Sequence, residues 1–330
     1  MNEKWDFLVF STTGETAEAF EAIPLGANNR LFKVICKNGK HFALKHYPGS
    51  EEDTRNRLMT EFTSLQFLGT HCNGVVPEAL GYDEDAQIAL YDWIEGEAIT
   101  YTLSSDIKAA LAFIGCLKEL GREKSASKFA EASEACLTFS GLIQQIETRY
   151  EKLLAVSDQD PDLAVFLKDY FQPRFQSFSR EPPVADVAHV DMCLSPSDFG
   201  FHNALRCQDD HLVFVDFEYF GWDDPVKLVC DFLLHPAMDL STKDKAQFWT
   251  GAKELFSGDP AFQERFYLLY PYYALRWSMI LLNEFLPERW HRRQVAGVIK
   301  NLNDIKSDQL SKSRAWYMKS EGFQKWNLDQ

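Results

Sequence analysis

The stretch that most limits what this chain can fold into runs from Leu194 to Glu218. It reads Leu194-Ser-Pro-Ser-Asp198-Phe-Gly-Phe-His-Asn203-Ala-Leu205 and, after Gln208-Asp209-Asp210, Leu212-Val-Phe-Val-Asp216-Phe-Glu218. Asp198 and Asn203 stand five positions apart in a short polar loop. Gln208-Asp209-Asp210 has the composition of a tight turn, and the apolar run Leu212 to Val215 delivers Asp216 at its end. The pattern predicts loop, strand, turn, strand, with Asp198, Asn203 and Asp216 projecting from one end. Oxygen-bearing side chains gathered in this way suit phosphate chemistry. Mg²⁺ takes hard oxygen ligands, with only one or two from protein, and phosphoryl transfer needs a group that orients the attacking hydroxyl. An Asp and an Asn flanking a strand turn suit the metal, and the second Asp suits the base. Asp216 alone is equally an ordinary strand-end aspartate, so the inference rests on the three together.

Asp198-x-x-x-x-Asn203 followed by Val215-Asp216-Phe217-Glu218-Tyr219 resembles the catalytic and metal-binding segment of the aminoglycoside phosphotransferase and choline kinase superfamily. These are small-molecule kinases with a protein-kinase-like fold. The Asp-Phe-Glu-Tyr run is most similar to choline and ethanolamine kinases. One departure stands out: the family usually carries His-Gly before the base aspartate, where this chain has Pro196-Ser197. The resemblance covers about residues 20–240. It implies an α+β fold of two lobes, a small antiparallel-sheet nucleotide-binding lobe over residues 1–95 and a large, mainly helical catalytic lobe over 96–330. It also implies ATP and Mg²⁺ as cofactors, with Asp198 as base, Asn203 and Asp216 on the metal, and a small-molecule hydroxyl acceptor. Glu218, two residues beyond Asp216, is a candidate for the substrate or a second metal-bound water.

The N-terminal region fits this expectation. Phe20–Leu25, Arg30–Cys36 and His41–Tyr47 predict an antiparallel meander, with a turn at Gly26-Ala-Asn-Asn29 and a hairpin at Asn38-Gly39. The first turn holds one glycine, Gly26, and by itself reads as an ordinary hairpin turn; the resemblance places it over the ATP phosphates. Strand alternation puts Lys45 on the same face as Ala43. Such a lysine under a turn is placed like the kinase lysine that holds the α- and β-phosphates, although a lone strand lysine is commonly a solvated edge residue. Residues 51–68 predict a helix with Leu58, Phe62, Leu65 and Leu68 on one stripe. Glu61 falls within or beside that stripe, where a carboxylate is costly unless a cation meets it. Lys45 is the natural partner. Two further strands are predicted around a turn at Asp83-Glu84-Asp85, and the resemblance places the adenine edge against main-chain groups of about Tyr91 to Trp93.

The rest of the chain predicts helices. These cover most of 102–121 and 126–156, then 162–178 with Leu163, Phe166, Leu167 and Tyr170 inward, and most of 244–330. Asp223 and Asp224 are candidate N-caps before Pro225. Asp231, in a very apolar run, must find donors; the resemblance makes it a brace for the catalytic loop. The aromatic face at Phe266, Tyr267, Tyr270, Tyr272, Tyr273 and Trp277 reads as core, with a cation-binding wall as the alternative. Arg276, Glu284, Trp290, His291 and Arg292 are further acceptor candidates.

The net charge of −15, from 34 Lys and Arg against 49 Asp and Glu, argues against nucleic-acid binding, which needs a basic footprint. No stretch approaches the ~20 apolar residues of a membrane span, and the N-terminus lacks the pattern of a signal peptide. The seven cysteines are scattered without a Cys-x-x-Cys pair, which predicts reduced thiols and a cytoplasmic protein. Nothing in the sequence speaks to oligomeric state. Two other functions compete with the kinase. One is a nucleotide-binding pseudokinase acting as scaffold or regulator, suggested by the missing His-Gly and the sparse glycine turn. The other is a metal-dependent hydrolase using His189, Asp191, Asp198, His202 and Asp216, which leaves Lys45 and Glu61 unexplained.

Overall fold

A computed structural model describes residues 3–23, 30–49, 55–72, 74–178, 184–287 and 301–321. The chain divides into two compact units, 1–134 with 194–221, and 135–193 with 222–330. The fold is α+β, as expected.

The first unit is built on a five-stranded antiparallel sheet, β1 (Ala17–Ile23), β2 (Arg30–Cys36), β3 (His41–His46), β4 (Ala79–Asp83) and β5 (Ile88–Asp92), in the order β1-β2-β3-β5-β4. The predicted meander is its first three strands, with Asn38-Gly39 at the hairpin and Gly39 at φ +82°. A helix that no sequence pattern announced, α1 (Glu3–Thr13), covers one face; its Leu8 and Val9 pack with Val34, Leu44, Ile88 and Leu90. Strand alternation sends Lys45 and Tyr91 to the other face. There α2 (Arg57–Gly69) lies, with Phe62 against Tyr82 and Tyr91. Asn56 caps α2 by accepting from the Met59 amide. The helix is shorter at its start than the expected 51–68; residues 51–54 and the Gly26 turn lie outside the described residues.

After β6 (Gly96–Ala98), α3 (Ser104–Leu120) carries Ile107, Phe113, Ile114 and Leu117 inward. The chain returns at β7 (Cys193–Ser195), and β8 (Ala204–Cys207) and β9 (Leu212–Phe214) form the predicted hairpin, with β6 beside β8. Phe113 stacks on Phe214 at 4.7 Å and meets Phe199 and Phe217, so α3 supports the hairpin from below. The expectation of reduced cysteines is corrected at one pair: Cys72, just past α2, is disulfide-bonded to Cys116 of α3. The two are 44 residues apart in sequence and are brought together only by the fold.

The second unit is helical: α4 (Phe139–Val156), α5 (Pro161–Val165), α6 (Gln172–Ser177), α7 (Pro225–Leu234), α8 (Thr242–Leu255), α9 (Phe262–Leu281) and α10 (Leu302–Lys319), with β10 (Gly221–Asp223) leading into α7. Asp224 accepts from the Val226 amide and caps α7 with Pro225 in its first turn, as the sequence suggested. Residues 129–138 are not helical, which shortens the helix expected from 126. Between α5 and α6 the helix widens into a π turn over Phe166–Phe171. The extra residue in that turn moves the buried face on by one position. Tyr170, expected inward, is therefore exposed, and Phe171 is buried in its place. The aromatic face of α9 is core: Phe266, Tyr270, Tyr272, Tyr273 and Trp277 are all buried. Asp231 accepts from the Trp277 indole at 2.7 Å and pairs with Lys227 and Arg276. No helix among the described residues is long and apolar enough to cross a membrane.

Candidate functional site

Lys45, Glu61, Asp198, Asn203, Asp216 and Glu218 all fall in the first unit. Lys45 on β3 stands between Leu31 of β2 and Ala89 of β5, a central place in the sheet. Its Nζ donates to Glu61 Oε2 at 2.6 Å and to Asp216 Oδ1 at 2.5 Å, and lies 4.0 Å from Glu218 Oε2. Burial alone would push the Lys45 ammonium down, but the carboxylates of Asp216, Glu61 and Glu218 outweigh it and hold its pKa well above the ordinary lysine value. It is therefore a fixed cation throughout the physiological range.

Glu61 is a buried junction. Oε2 accepts from Lys45 and from the Tyr47 hydroxyl at 2.7 Å, while Oε1 accepts from the Phe217 amide at 3.3 Å. The single Tyr47 proton goes to the carboxylate, so Tyr47 accepts from the Tyr91 hydroxyl, 2.7 Å away. Burial and the Glu61 charge push both phenols up, which keeps them protonated and donating. Tyr91, expected to offer main-chain contacts, thus also anchors this relay through its side chain. Its backbone is paired with Ala43 and Ala79 inside the sheet, whereas Trp93 follows the end of β5. The Trp93 ring lies under Lys33 Nζ at 4.6 Å, and its indole N–H is buried without a partner.

The loop before β8 holds the second part of the site. Asn203 Nδ2 donates to the Asp198 carbonyl at 2.9 Å, which turns the Asn203 oxygen away from that carbonyl. The Val215 amide donates to the Asn203 carbonyl at 2.9 Å, which brings together the residue just before β8, Asn203, and the segment just past β9 that carries Asp216. Asp198 is half-buried, and its Oδ1 lies 3.1 Å from His202 Nε2. The missing His-Gly is replaced by a serine bridge. Ser197 Oγ donates to the Ser133 carbonyl at 2.6 Å, the Ser197 amide donates to Ser195 Oγ, and the Ser133 amide donates to the Tyr219 carbonyl. Ser197 and Asp216 both hold left-handed backbones, φ +66° and +68°. Such conformations cost about 1–3 kcal/mol each and persist only where neighbours over-determine them.

Glu218 is 1 % exposed and accepts from Arg57 Nη1 at 2.6 Å; Arg57 is itself only 2 % exposed. Sequence reasoning missed Arg57, although it stands four residues before Glu61 and so on the same face of α2. It also missed Tyr47. Gly26 lies outside the described residues, as do Trp290, His291 and Arg292. His189 and Asp191 belong to the second unit.

The donor set fits a hard cation. The Asn203 oxygen and the Asp216 carboxylate are both oxygen ligands, carried by the segments that flank β8 and β9, and the Asp216 side chain keeps 35 % exposure while Lys45 binds one of its oxygens. Lys45, fixed between two carboxylates, can neutralise an anion, the Asn203 and Asp216 oxygens can hold a divalent ion, and the half-buried loop carboxylate of Asp198 can accept a proton.

No family profile matches the sequence, and no curated protein matches it. Solved structures do match its fold. A spectinomycin phosphotransferase in complex with ADP and spectinomycin aligns with a TM-score of 0.58 at 10 % identity, over 96 % of this chain and 98 % of its own. An amicoumacin kinase in complex with AMP-PNP, Ca²⁺ and Ami aligns at 0.57 and 12 % identity, over 95 % and 92 %. Choline kinase from Streptococcus pneumoniae aligns at 0.55 and 15 % identity, over 94 % and 96 %. The chain has the kinase-like fold of these structures.

Proposed function

We propose that this chain is an ATP-dependent kinase of small molecules, transferring the γ-phosphate to a hydroxyl of an amino alcohol, an aminoglycoside or a sugar-like acceptor. The observation that carries the reading is the position of Lys45, shared between Glu61 of α2 and Asp216 beside Asn203. The fold of the spectinomycin, amicoumacin and choline kinases supports it.

In this reading Lys45, oriented by Glu61, holds the α- and β-phosphates, and the Gly26 turn covers them. Main-chain groups around Tyr91 to Trp93 meet the adenine edge, with the boundary between lobes at about residue 95. Asn203 and Asp216 hold Mg²⁺, which neutralises charge on the phosphates. Asp198 orients the acceptor hydroxyl and takes its proton as the acceptor oxygen bonds to the γ-phosphorus and the bond to the bridging oxygen breaks, releasing ADP. Most of the acceleration comes from positioning and charge neutralisation. Its acidity keeps it from nucleic acid.

The test is thermal stability with and without Mg·ATP, because a ligand that binds only the native state must raise the melting temperature. The expected result is an Mg²⁺-dependent rise that Asp216→Asn abolishes, followed by phosphate transfer to at least one hydroxylated amine or sugar. No rise at millimolar nucleotide would refute the nucleotide site. A rise without transfer to any acceptor would favour the pseudokinase reading.

A further inference from the structure

We propose that Arg57 is a positioning residue of the metal site: it holds Glu218 away from the bound cation and fixes the segment that carries Asp216. This inference rests on the kinase reading and adds a part to it.

The geometry is a two-point clamp. Arg57 and Glu61 stand four residues apart on one face of α2. Arg57 Nη1 donates to Glu218 Oε1 at 2.6 Å, and Glu61 Oε1 accepts from the Phe217 amide at 3.3 Å. Asp216 lies immediately before these two gripped residues, in the left-handed conformation that needs support. On its other side, the Val215 amide is tied to Asn203. α2 therefore sets where the Asp216 carboxylate points, through contacts that do not involve Asp216 itself.

Charge makes the clamp selective. Ligand oxygens of Glu61, Asp216 and Glu218 all lie within 4.8 Å of one another. A divalent ion entering such a cluster would be drawn to all three carboxylates. Glu61 is committed to Lys45 and Tyr47, and Arg57 commits Glu218, which leaves Asp216 with the carboxylate oxygen that faces solvent. Arg57 and Glu218 are almost sealed from water, so either charge alone would be costly and would seek another partner. For Glu218 that partner is Lys45, already 4.0 Å away. Without Arg57, Lys45 is pulled toward Glu218 and away from the position, between Glu61 and Asp216, in which it would hold phosphate, and Glu218 competes for the metal.

The test is calorimetric titration of Mg²⁺ into the full-length chain at fixed AMP-PNP, for wild type, Arg57→Met and the double variant Arg57→Met with Glu218→Gln. Melting curves without ligand report folding separately. Partners of this kind change metal affinity by about 10–100-fold; the Arg57→Met midpoint is accordingly expected to weaken at least about tenfold, and the double variant to return to within about threefold of wild type. A purely structural Arg57 would lower the melting temperature without moving the Mg²⁺ midpoint, which overturns the proposal. A double variant as weak as Arg57→Met also overturns it, because the freed Glu218 charge would then not be what weakens the site. If Arg57→Met does not fold, the double variant decides alone by the same criterion. Wild-type protein that binds no Mg·AMP-PNP would sink the kinase reading and this proposal with it, an outcome distinct from a variant that binds like wild type.

Discussion

Replacing Lys45 with methionine keeps the length of the side chain and removes its charge. Glu61, Asp216 and Glu218 would then face one another with their ligand oxygens within 4.8 Å. Removing one partner of a buried ion pair costs about 3–5 kcal/mol. Glu61, 4 % exposed, feels that cost in full, whereas Asp216, at 35 %, is partly screened by water. The expected loss in metal-free buffer at pH 8 is therefore at the lower end, about 3–4 kcal/mol. At about 2–4 °C per kcal/mol for a folding unit of 150–250 residues, the melting temperature should fall by about 6–16 °C.

The sign of the pH dependence follows from the charges. In wild type the Lys45 pKa is raised, so its stabilisation is complete below the unfolded lysine value and is lost only as pH rises through the folded one. Wild type keeps it from pH 5 to 8. In the variant, three crowded carboxylates cannot all ionise freely, so at least one has a folded pKa above its unfolded value of about 4. Protonation relieves the repulsion, and stability is lost as pH rises through that folded pKa. The gap between variant and wild type should widen from pH 5 to pH 8. Thermal and urea unfolding in a chelator at both pH values measure it. A gap under about 1 kcal/mol at pH 8, or one that does not change with pH, would refute the buried-cluster argument.

Ser197→Ala keeps the left-handed backbone and loses the bond to the Ser133 carbonyl, at a cost of about 1 kcal/mol. Ser197→Gly relieves that backbone and should be about 1 kcal/mol more stable than the alanine variant by urea denaturation; equal stabilities would mean the conformation is not strained. Gly221→Ala places a Cβ 2.4 Å from the Ala130 carbonyl oxygen and 2.5 Å from the Ala132 amide nitrogen. Backbone must move, and a loss of about 1–3 kcal/mol is expected in the same assay. Alkylation of the unfolded, unreduced protein should label five thiols, and seven after reduction, with Cys72 and Cys116 the additional pair by mass spectrometry.

The parts of the site visible in the sequence were those where one residue breaks a local pattern. Lys45 interrupts an apolar strand face and Glu61 an apolar helix stripe, and each anomaly asks for the other. Asp198, Asn203 and Asp216 were visible because a polar loop and a strand end carry their own turn chemistry. Arg57 was not, because an arginine in the first turn of a helix has every local reason to be solvated. Its burial depends on Glu218, 161 residues away. The disulfide likewise has no local signature, since nothing near Cys72 points to Cys116. Tyr170 was misplaced because a 3.6-residue period cannot anticipate a π turn, and the non-helical 129–138 stretch makes its bonds to distant residues, the Ser133 amide to the Tyr219 carbonyl and the Ser133 carbonyl to Ser197 Oγ. The hidden parts are the ones decided by distant partners.

The first unit is interrupted in sequence: the chain leaves it after Glu134 and re-enters at Leu194. This has a consequence for how the molecule is made. A nascent chain that has emerged only as far as residue 134 carries the residues of all five strands of the sheet, of α2 and of the Lys45–Glu61 pair, yet lacks Asp198, Asn203, Asp216 and Glu218. Arg57 and Lys45 lack their partners Glu218 and Asp216 until the 135–193 excursion is complete and the return segment arrives. The entropy of closing such an excursion grows only slowly, by about 0.6 kcal/mol for each doubling of its length. Insertions within 135–193 should therefore delay the assembly of the first unit far less than a cut at either point where the chain crosses over.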